Sequence, residues 1–381
     1  MTILRKMKNN AIPESPVLLI AALKPYIGGP RICFKLFLDY IIKSSRKPFR
    51  HFDLPVLDSR DVAKLGSGSQ DVAKLGKTNH FRTILGIVHA LFYIPFSGSV
   101  VIFGSRNFVF FYGSLFLLSS RCLRKPCSVR FFGGRPMLTL LRHNYLVRFA
   151  VLTVFRLADA ISLETELGAN EFPEFLRKKI KVIFGYRPKM LEKSTTLFRD
   201  DNTIRFVYVG NVIREKGIDI LLSAFCKLKD ISKKQYSLEL HLYGPGTQDI
   251  IYRLQKLDKV YYHGIADNLS LRKSLPSYDI FVFPSIYDNE GHPGAIIEAL
   301  FAGLPVISTD LPVIREILKH GYNAILVRSG DMQCLLEAMG RLAIDQDLRQ
   351  RFSQAALASC DRFDVDLVLP KLAATLGIEG N

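Results

Sequence analysis

Residues 279–309 read DIFVFPSIYDNEGHPGAIIEALFAGLPVIST. DIFVFPS (279–285) and PVIST (305–309) are short apolar runs with the β-branched and aromatic content of buried strands. Between them AIIEALFAG carries a helical apolar pattern, opened by Pro293-Gly294 and closed by Gly303. Strand, helix and strand in so short a stretch form one βαβ unit, whose two strands must run parallel.

The same alternation extends in both directions. IRFVYVG (204–210), SLELHLYG (237–244), VYYHG (260–264) and NAILV (323–327) add strands, with helical segments near 217–230, 247–256 and 268–276. Six short strands alternating with helices predict a doubly wound parallel sheet. Upstream, VLLIAAL (17–23), VVIFGS (100–105), SVRFFGG (128–134), ADAISL (158–163) and KIKVIFGY (179–186) alternate with helical patterns in a second series. Polar residues 190–203 separate the two series. A chain of 381 residues also exceeds what one core usually holds. The expected organisation is therefore an α/β domain over 1–190, a linker over 191–203, a second α/β domain over 204–364, and a C-terminal helix over 365–381 that packs back on the first domain.

Charge divides the chain differently. The formal net charge is +17, yet residues 1–190 hold 30 Lys/Arg against 11 Asp/Glu, and the remainder is nearly neutral. Residues 72–158 contain 12 Lys/Arg and no acid, interleaved with apolar runs such as FVFFYGSLFLL (108–118). A negatively charged surface is the natural partner. No nucleic-acid-binding motif accompanies the charge, so an anionic membrane surface is expected and nucleic acid is not. Residues 84–105 carry no charged side chain, but His89, Pro95 and Gly98 interrupt them. That favours a helix, a turn and a buried strand over one membrane-spanning helix. The start, MTILRKMKNN, has no apolar leader core. With six cysteines that form no CxxC pair and read as reduced core thiols, the expected location is cytoplasmic, peripheral on the inner face of the membrane. The tandem SRDVAKLGSG–SQDVAKLG (59–76) has only two copies and reads as a polar loop.

The chemistry concentrates where strands end. In NEGHPGAIIEAL, Glu290 and Glu298 flank Gly291, His292, Pro293, Gly294 and Ala295, which lead into a helix. The free amides of a helix N-terminus offer an anion site, and the two carboxylates can accept hydrogen bonds from hydroxyls at either side of it. In FVYVGNVIREKGIDILL, strand-ending Gly210 is followed by Arg214, Lys216 and Gly217 before a helix. Cations there can neutralise charge that develops on a leaving phosphate. Gly244 and Gly264 end two further strands, where the lack of a side chain lets backbone approach a flat ring.

Taken together, the 279–309 block resembles the signature of retaining family 4 glycosyltransferases of the GT-B fold, two Rossmann-like doubly wound domains facing a central cleft. The resemblance implies that Glu290 contacts the donor sugar, Glu298 the ribose hydroxyls, and the amides near Pro293, Gly294 and Ala295 the diphosphate. The segment around Gly210, Arg214 and Lys216 is similar to that family's donor-phosphate strand and helix, although Asn211 stands where many members have arginine. Gly28 and Gly29 resemble the family's glycine pair near donor phosphate and acceptor, and His143 is the nearest candidate for its first-domain histidine.

The resemblance implies a metal-independent reaction with a nucleotide-sugar donor as substrate, no resident cofactor, and a glycan or lipid-linked acceptor. The wording EGHP is similar to enzymes that build bacterial surface polysaccharide, which points to polysaccharide or lipopolysaccharide synthesis. Asp364 and Asp366 form a DxD pattern, but beside a helix start they read as caps rather than metal ligands. Since fold does not fix reaction, an epimerase, a phosphorylase or a non-catalytic membrane-associated anion-binding protein are the alternatives.

Overall fold

The computed structural model describes residues 15–22, 29–44, 48–54, 83–189, 202–232 and 236–378. Gly28, the tandem copy at 59–76 and the expected linker up to residue 201 lie outside the described residues. The chain forms two compact units, one of residues 1–185 with 366–381 and one of residues 186–365. The division thus falls at Gly185 and Tyr186, ahead of the polar stretch from which a linker was expected.

In the first unit, β1 (Val17–Ala22), β2 (Phe49–Asp53), β3 (Ser99–Ser105), β4 (Cys127–Phe132), β5 (Ala160–Leu163) and β6 (Ile180–Val182) form one sheet in the order β2-β1-β3-β4-β5-β6. The pairings are parallel. Every residue of β4 is buried, as expected of a strand covered on both faces. One face carries helices over 83–93, Arg106–Cys122 and Tyr145–Phe155, which set Ile87, Phe110, Phe116 and Phe155 in one core with Ile20, Ile102, Val129 and Phe131. The ring of Phe131 lies 4.9 Å from Phe110 and 5.8 Å from Phe155. On the opposite face, helix Gly29–Ser44 brings Phe34 and Phe37 to 4.9 and 5.1 Å from Phe103.

The uncharged stretch 84–105 is a helix, a 3₁₀ turn at Ile94–Phe96 and then β3. Ser97 closes the turn by donating its hydroxyl to Ile94 O at 2.8 Å. Among the described residues no helix is long and apolar enough to cross a membrane. Edge strand β2 was not read from the sequence, because FRHFD carries three polar residues and pairs on one side only. Helix Val365–Thr375 belongs to the first unit from Asp366 onward and buries Leu372 and Ala373. All six cysteines are free, but only Cys33, Cys127 and Cys360 are buried, and Cys122 is exposed at the end of its helix. The expectation of six core thiols is therefore corrected.

In the second unit, β7 (Thr203–Val209), β8 (Ser237–Tyr243), β9 (Val260–Gly264), β10 (Ile280–Phe283), β11 (Val306–Thr309) and β12 (Ala324–Val327) are ordered β12-β11-β10-β7-β8-β9. These pairings are parallel too. Strand order reverses between β10 and β7, and ligands of doubly wound sheets bind beyond the carboxyl ends of the strands at such a point.

Phe131 anchors the first core from the centre of its sheet. Phe131→Ala is expected to lower that unit's stability by about 3–5 kcal/mol, the usual cost of emptying a buried phenylalanine site. Chemical denaturation checks this, and a loss below about 1 kcal/mol would contradict the packing described.

Candidate functional site

At the switch point of the second unit, two loops meet. The loop after β7 runs from Gly210 through the 3₁₀ turn Arg214–Lys216 to Gly217, and the loop after β10 runs from Pro284 to Pro293. Ile286 N–H donates to Glu215 O at 3.1 Å and ties them together. Gly217 adopts φ +73°, and a Cβ there would fall 1.9 Å from Pro284 O. Only glycine supplies both the left-handed conformation and the space.

The lock brings Lys216 to Glu290. Lys216 Nζ donates to Glu290 Oε1, and Ser285 Oγ donates to the same oxygen at 2.5 Å. Both contacts fall on Oε1, so Oε2 carries neither. Glu290 is buried, Lys216 is less so, and the ammonium also lies 5.1 Å from the centroid of the Tyr287 ring. Beneath them the buried ring of Tyr208 stacks on Phe283 and donates its hydroxyl to Asn211 O at 2.8 Å. Burial, reinforced by the charge of Glu290, pushes the Tyr208 phenol well above its ordinary value, so it stays a neutral donor.

Helix Gly294–Phe301 starts beside this pair, with Pro293 as its N-cap. Its first intrahelical bond runs from Ile296 N–H to Pro293 O at 3.0 Å, so the amides of Gly294 and Ala295 lie ahead of that ladder at the positive end of the helix. Glu298, one turn in, is buried and accepts from Arg187 Nε on Oε1 at 2.9 Å. Burial holds the Glu298 carboxyl above its ordinary value, opposed by the charges of Arg187 and Arg272.

Gly210, Gly244 and Gly264 stand in a row across the ends of β7, β8 and β9. Gly210 N–H donates to Tyr243 O at 2.9 Å and Gly244 N–H to Gly264 O at 2.7 Å. A Cβ on Gly244 would lie 2.0 Å from Gly210 O, so the strand ends form a surface of bare backbone. Lys216, Glu290, Glu298, Gly294, Ala295 and the three glycines thus all lie along the carboxyl edge of one sheet. A cation, two carboxylates and free amides on such an edge can hold a diphosphate between two hydroxyl-bearing groups.

Two expected residues are not brought there. The Arg214 side chain is 70% exposed and turns to Asp219 and Asp249, at 3.6 and 3.8 Å. His292 is buried, with Nε2 3.2 Å from the Glu316 carboxylate and its ring edge-on to Phe363, so its side chain serves packing instead of the site. In the first unit, Gly29 opens a helix, and exposed His143 packs edge-on against Phe111. Asp364 pairs with Arg187 through backbone and Asp366 lies in the first turn of a helix. Among the described residues no group of three or more His, Cys, Asp or Glu is arranged to hold a metal ion. Sequence reading missed Ser285, Arg187 and Arg272. Ser285 closes the quoted strand and could have been found there, whereas Arg187 lies 111 residues from its partner and gives no local signal.

Residues 203–345 match the family model of Glycosyl transferases group 1. The match covers the sheet that carries the site. Among curated proteins, the capsular polysaccharide biosynthesis glycosyltransferase CapM of Staphylococcus aureus is 24% identical over 251 residues, 60% of this chain and 63% of CapM. The phosphatidyl-myo-inositol mannosyltransferase of Mycobacterium leprae is 27% identical over 160 residues, 41% of each chain. The chain spans less than two thirds of the length of the curated relatives it matches. Among solved structures, Anabaena HepE in complex with UDP superposes with a TM-score of 0.69 at 16% identity, covering 95% of this chain and 99% of HepE. The lipopolysaccharide outer core galactosyltransferase WaaB superposes at 0.64, with 16% identity and coverage of 95% and 99%. The fold is therefore that of the GT-B glycosyltransferases.

Gly217→Ala puts a methyl group against Pro284 O and an alanine into a left-handed conformation. A loss of at least about 1–2 kcal/mol is expected from the conformation alone. Thermal unfolding checks this, and an unchanged midpoint would contradict the lock.

Proposed function

We propose that the protein is a retaining, metal-independent glycosyltransferase that moves a sugar from a nucleotide-sugar donor to a glycan or lipid-linked acceptor in bacterial surface polysaccharide or lipopolysaccharide synthesis. The observation that carries this reading is the Lys216–Glu290 pair beside the start of helix Gly294–Phe301, at the switch point of a sheet that matches a glycosyltransferase family. Its support from relatives is that CapM acts in capsular polysaccharide biosynthesis and that HepE was solved with UDP.

In this reading the donor diphosphate lies on the amides of Gly294 and Ala295, with Lys216 against its developing charge and Glu298 toward the ribose. Glu290 Oε2 accepts from hydroxyls of the transferred sugar. The anomeric carbon's bond to the leaving phosphate oxygen breaks as its bond to the acceptor oxygen forms on the same face. The acceptor proton passes to the leaving phosphate, so no protein nucleophile is needed. The first unit takes the acceptor.

We propose further that the first unit meets an anionic membrane on the cytoplasmic side. The three helices on one face of its sheet turn outward Leu85, Val88, Phe92, Phe111, Leu115, Leu146 and Phe149, all exposed, with Leu146 at 74%. Monomeric proteins rarely leave so many large apolar side chains in water. From residue 72 to residue 158 the only charged residues are Lys and Arg, which complements anionic lipid headgroups.

Glu290→Ala and Lys216→Ala are each expected to cut transfer by about 100-fold or more in protein that still folds, the scale of losing a group that stabilises transition-state charge. Assays with UDP-, GDP- and ADP-linked sugars check this, and wild-type rates in both variants would remove the site assignment. For the membrane, vesicle co-sedimentation should rise with anionic lipid and fall with salt, and Leu146→Ser with Phe149→Ser should weaken it. Equal binding to neutral and anionic vesicles at low salt would count against the proposal.

A further inference from the structure

We infer that Arg187 is a positioning residue of the donor site: it holds the Glu298 carboxylate ionised and aimed, and lends its own charge to the start of helix Gly294–Phe301. This rests on the donor reading above.

Three observations carry it. Arg187 and Glu298 form an ion pair at 2.9 Å with side chains 4% and 6% exposed, so neither charge is relieved by bulk water. The guanidinium lies against the first residue of the helix, since a Cβ on Gly294 would fall 1.7 Å from Arg187 Nη2. Glycine at 294 thus leaves room for the arginine beside the amides that open the helix. Finally, Arg187 is fixed from its own backbone: its N–H donates to Phe363 O at 3.0 Å, its carbonyl accepts from Val365 N–H at 3.2 Å, and Nη1 donates to Tyr186 O at 2.7 Å.

An arginine this constrained is costly to bury unless its partner is charged, and a carboxylate this buried is costly to ionise unless its partner is present. Each therefore sets the state of the other. Nε takes Oε1, so the pair holds that oxygen and keeps Oε2 clear of this contact. The other charge acting on Glu298 is Arg272, itself half-buried and anchored by donation from Nη2 to Pro188 O at 2.6 Å. On the neighbouring elements His292 and Glu316 pair with each other, and Arg362 donates to the carbonyl of Glu316. Helix Gln346–Ser359, packed against helix Gly294–Phe301, buries Leu348, Phe352, Ser353, Ala355 and Ala356 and no charged residue.

The sign follows directly. Burial already raises the Glu298 carboxyl, and Arg187 opposes that rise. Without Arg187 the group takes up its proton at higher pH, and a protonated Glu298 accepts from ribose hydroxyls less well. Loss of Arg187 should therefore weaken donor binding, and weaken it more as pH falls.

The test is calorimetric titration of the full chain with UDP, GDP and ADP between pH 6 and 8.5, for wild type, Arg187→Gln, Arg187→Lys and Glu298→Gln, with thermal midpoints alongside. Wild type should bind one nucleotide with an affinity that varies little over this range. Arg187→Gln should bind it about tenfold more weakly at pH 8.5, the scale of losing one charged hydrogen bond that aims the carboxylate, and weaker still at pH 6, where the carboxyl takes up its proton. Arg187→Lys should recover part of the loss, because it restores charge without the planar fork. Glu298→Gln, which cannot titrate, should bind weakly and independently of pH, and adding Arg187→Gln to it should cost little more. In turnover the donor KM should rise with kcat at saturation largely kept. Lower midpoints with unchanged affinity and a flat pH profile in both arginine variants would make Arg187 purely structural and overturn the inference, while Arg187→Lys keeps the test decisive if Arg187→Gln does not fold. A wild-type protein that binds none of the three nucleotides overturns the donor reading and this inference with it.

Discussion

Everything proposed for the second unit depends on two loops that meet where the strand order reverses. β10 and β7 are neighbours in the sheet but far apart in sequence, and the chain continues from them to opposite sides of the sheet order. The gap this opens is filled by the Glu215–Ile286 hydrogen bond and by the close approach of Gly217 to Pro284. Lys216 and Glu290 then face each other because their neighbours in sequence are already pinned. Partial burial strengthens the pair relative to an exposed one, and Ser285 shares the same carboxylate oxygen.

The two units use the same architecture with different surfaces. The second is close to electroneutral and gathers Lys216, Glu290 and Glu298 along one sheet edge. The first is strongly basic and leaves the outer sides of three helices apolar. Its core is not short of hydrophobic residues, since Phe110, Phe131, Phe155 and Phe172 already fill the layer beneath. The outward phenylalanines and leucines are thus surplus to folding, which is why they read as contact surface.

Much of this was legible in the sequence, for physical reasons that differ from element to element. Parallel strands buried on both faces leave uninterrupted apolar runs, so β3, β4, β7, β10 and β11 could be read directly. Edge strand β2 could not, because a strand paired on one side tolerates Arg50 and His51. Gly210, Gly244 and Gly264 were visible as strand-ending glycines. Their alignment into one ledge depends on the sheet order, which the sequence leaves open.

Among the residues expected at the site, local backbone geometry carries some to the sheet edge, while side-chain direction takes others away from it. Lys216 and Arg214 are two residues apart on one 3₁₀ turn, yet Lys216 turns to Glu290 and Arg214 to Asp219 and Asp249. His292 stands between Glu290 and Glu298 in sequence but points into the packing against Phe363. Arg187 illustrates the converse, a residue with no motif that tertiary structure delivers to Glu298.

The seam between the loops after β7 and β10 bears on how such a protein can diversify. A single inserted residue between Asn211 and Gly217 would move the left-handed position off Pro284 and undo the register of both loops at once. The connection after Gly244 is tied to the same seam, since Val212 N–H donates to Pro245 O at 2.7 Å, so room for length change on this edge lies in the connection that follows Gly264. That connection exposes Ile265 and Asp267 and can lengthen without moving the contact of Gly217 with Pro284. Homologous chains that differ in the molecule they accept should carry their differences there, around an unaltered hinge of glycine and proline.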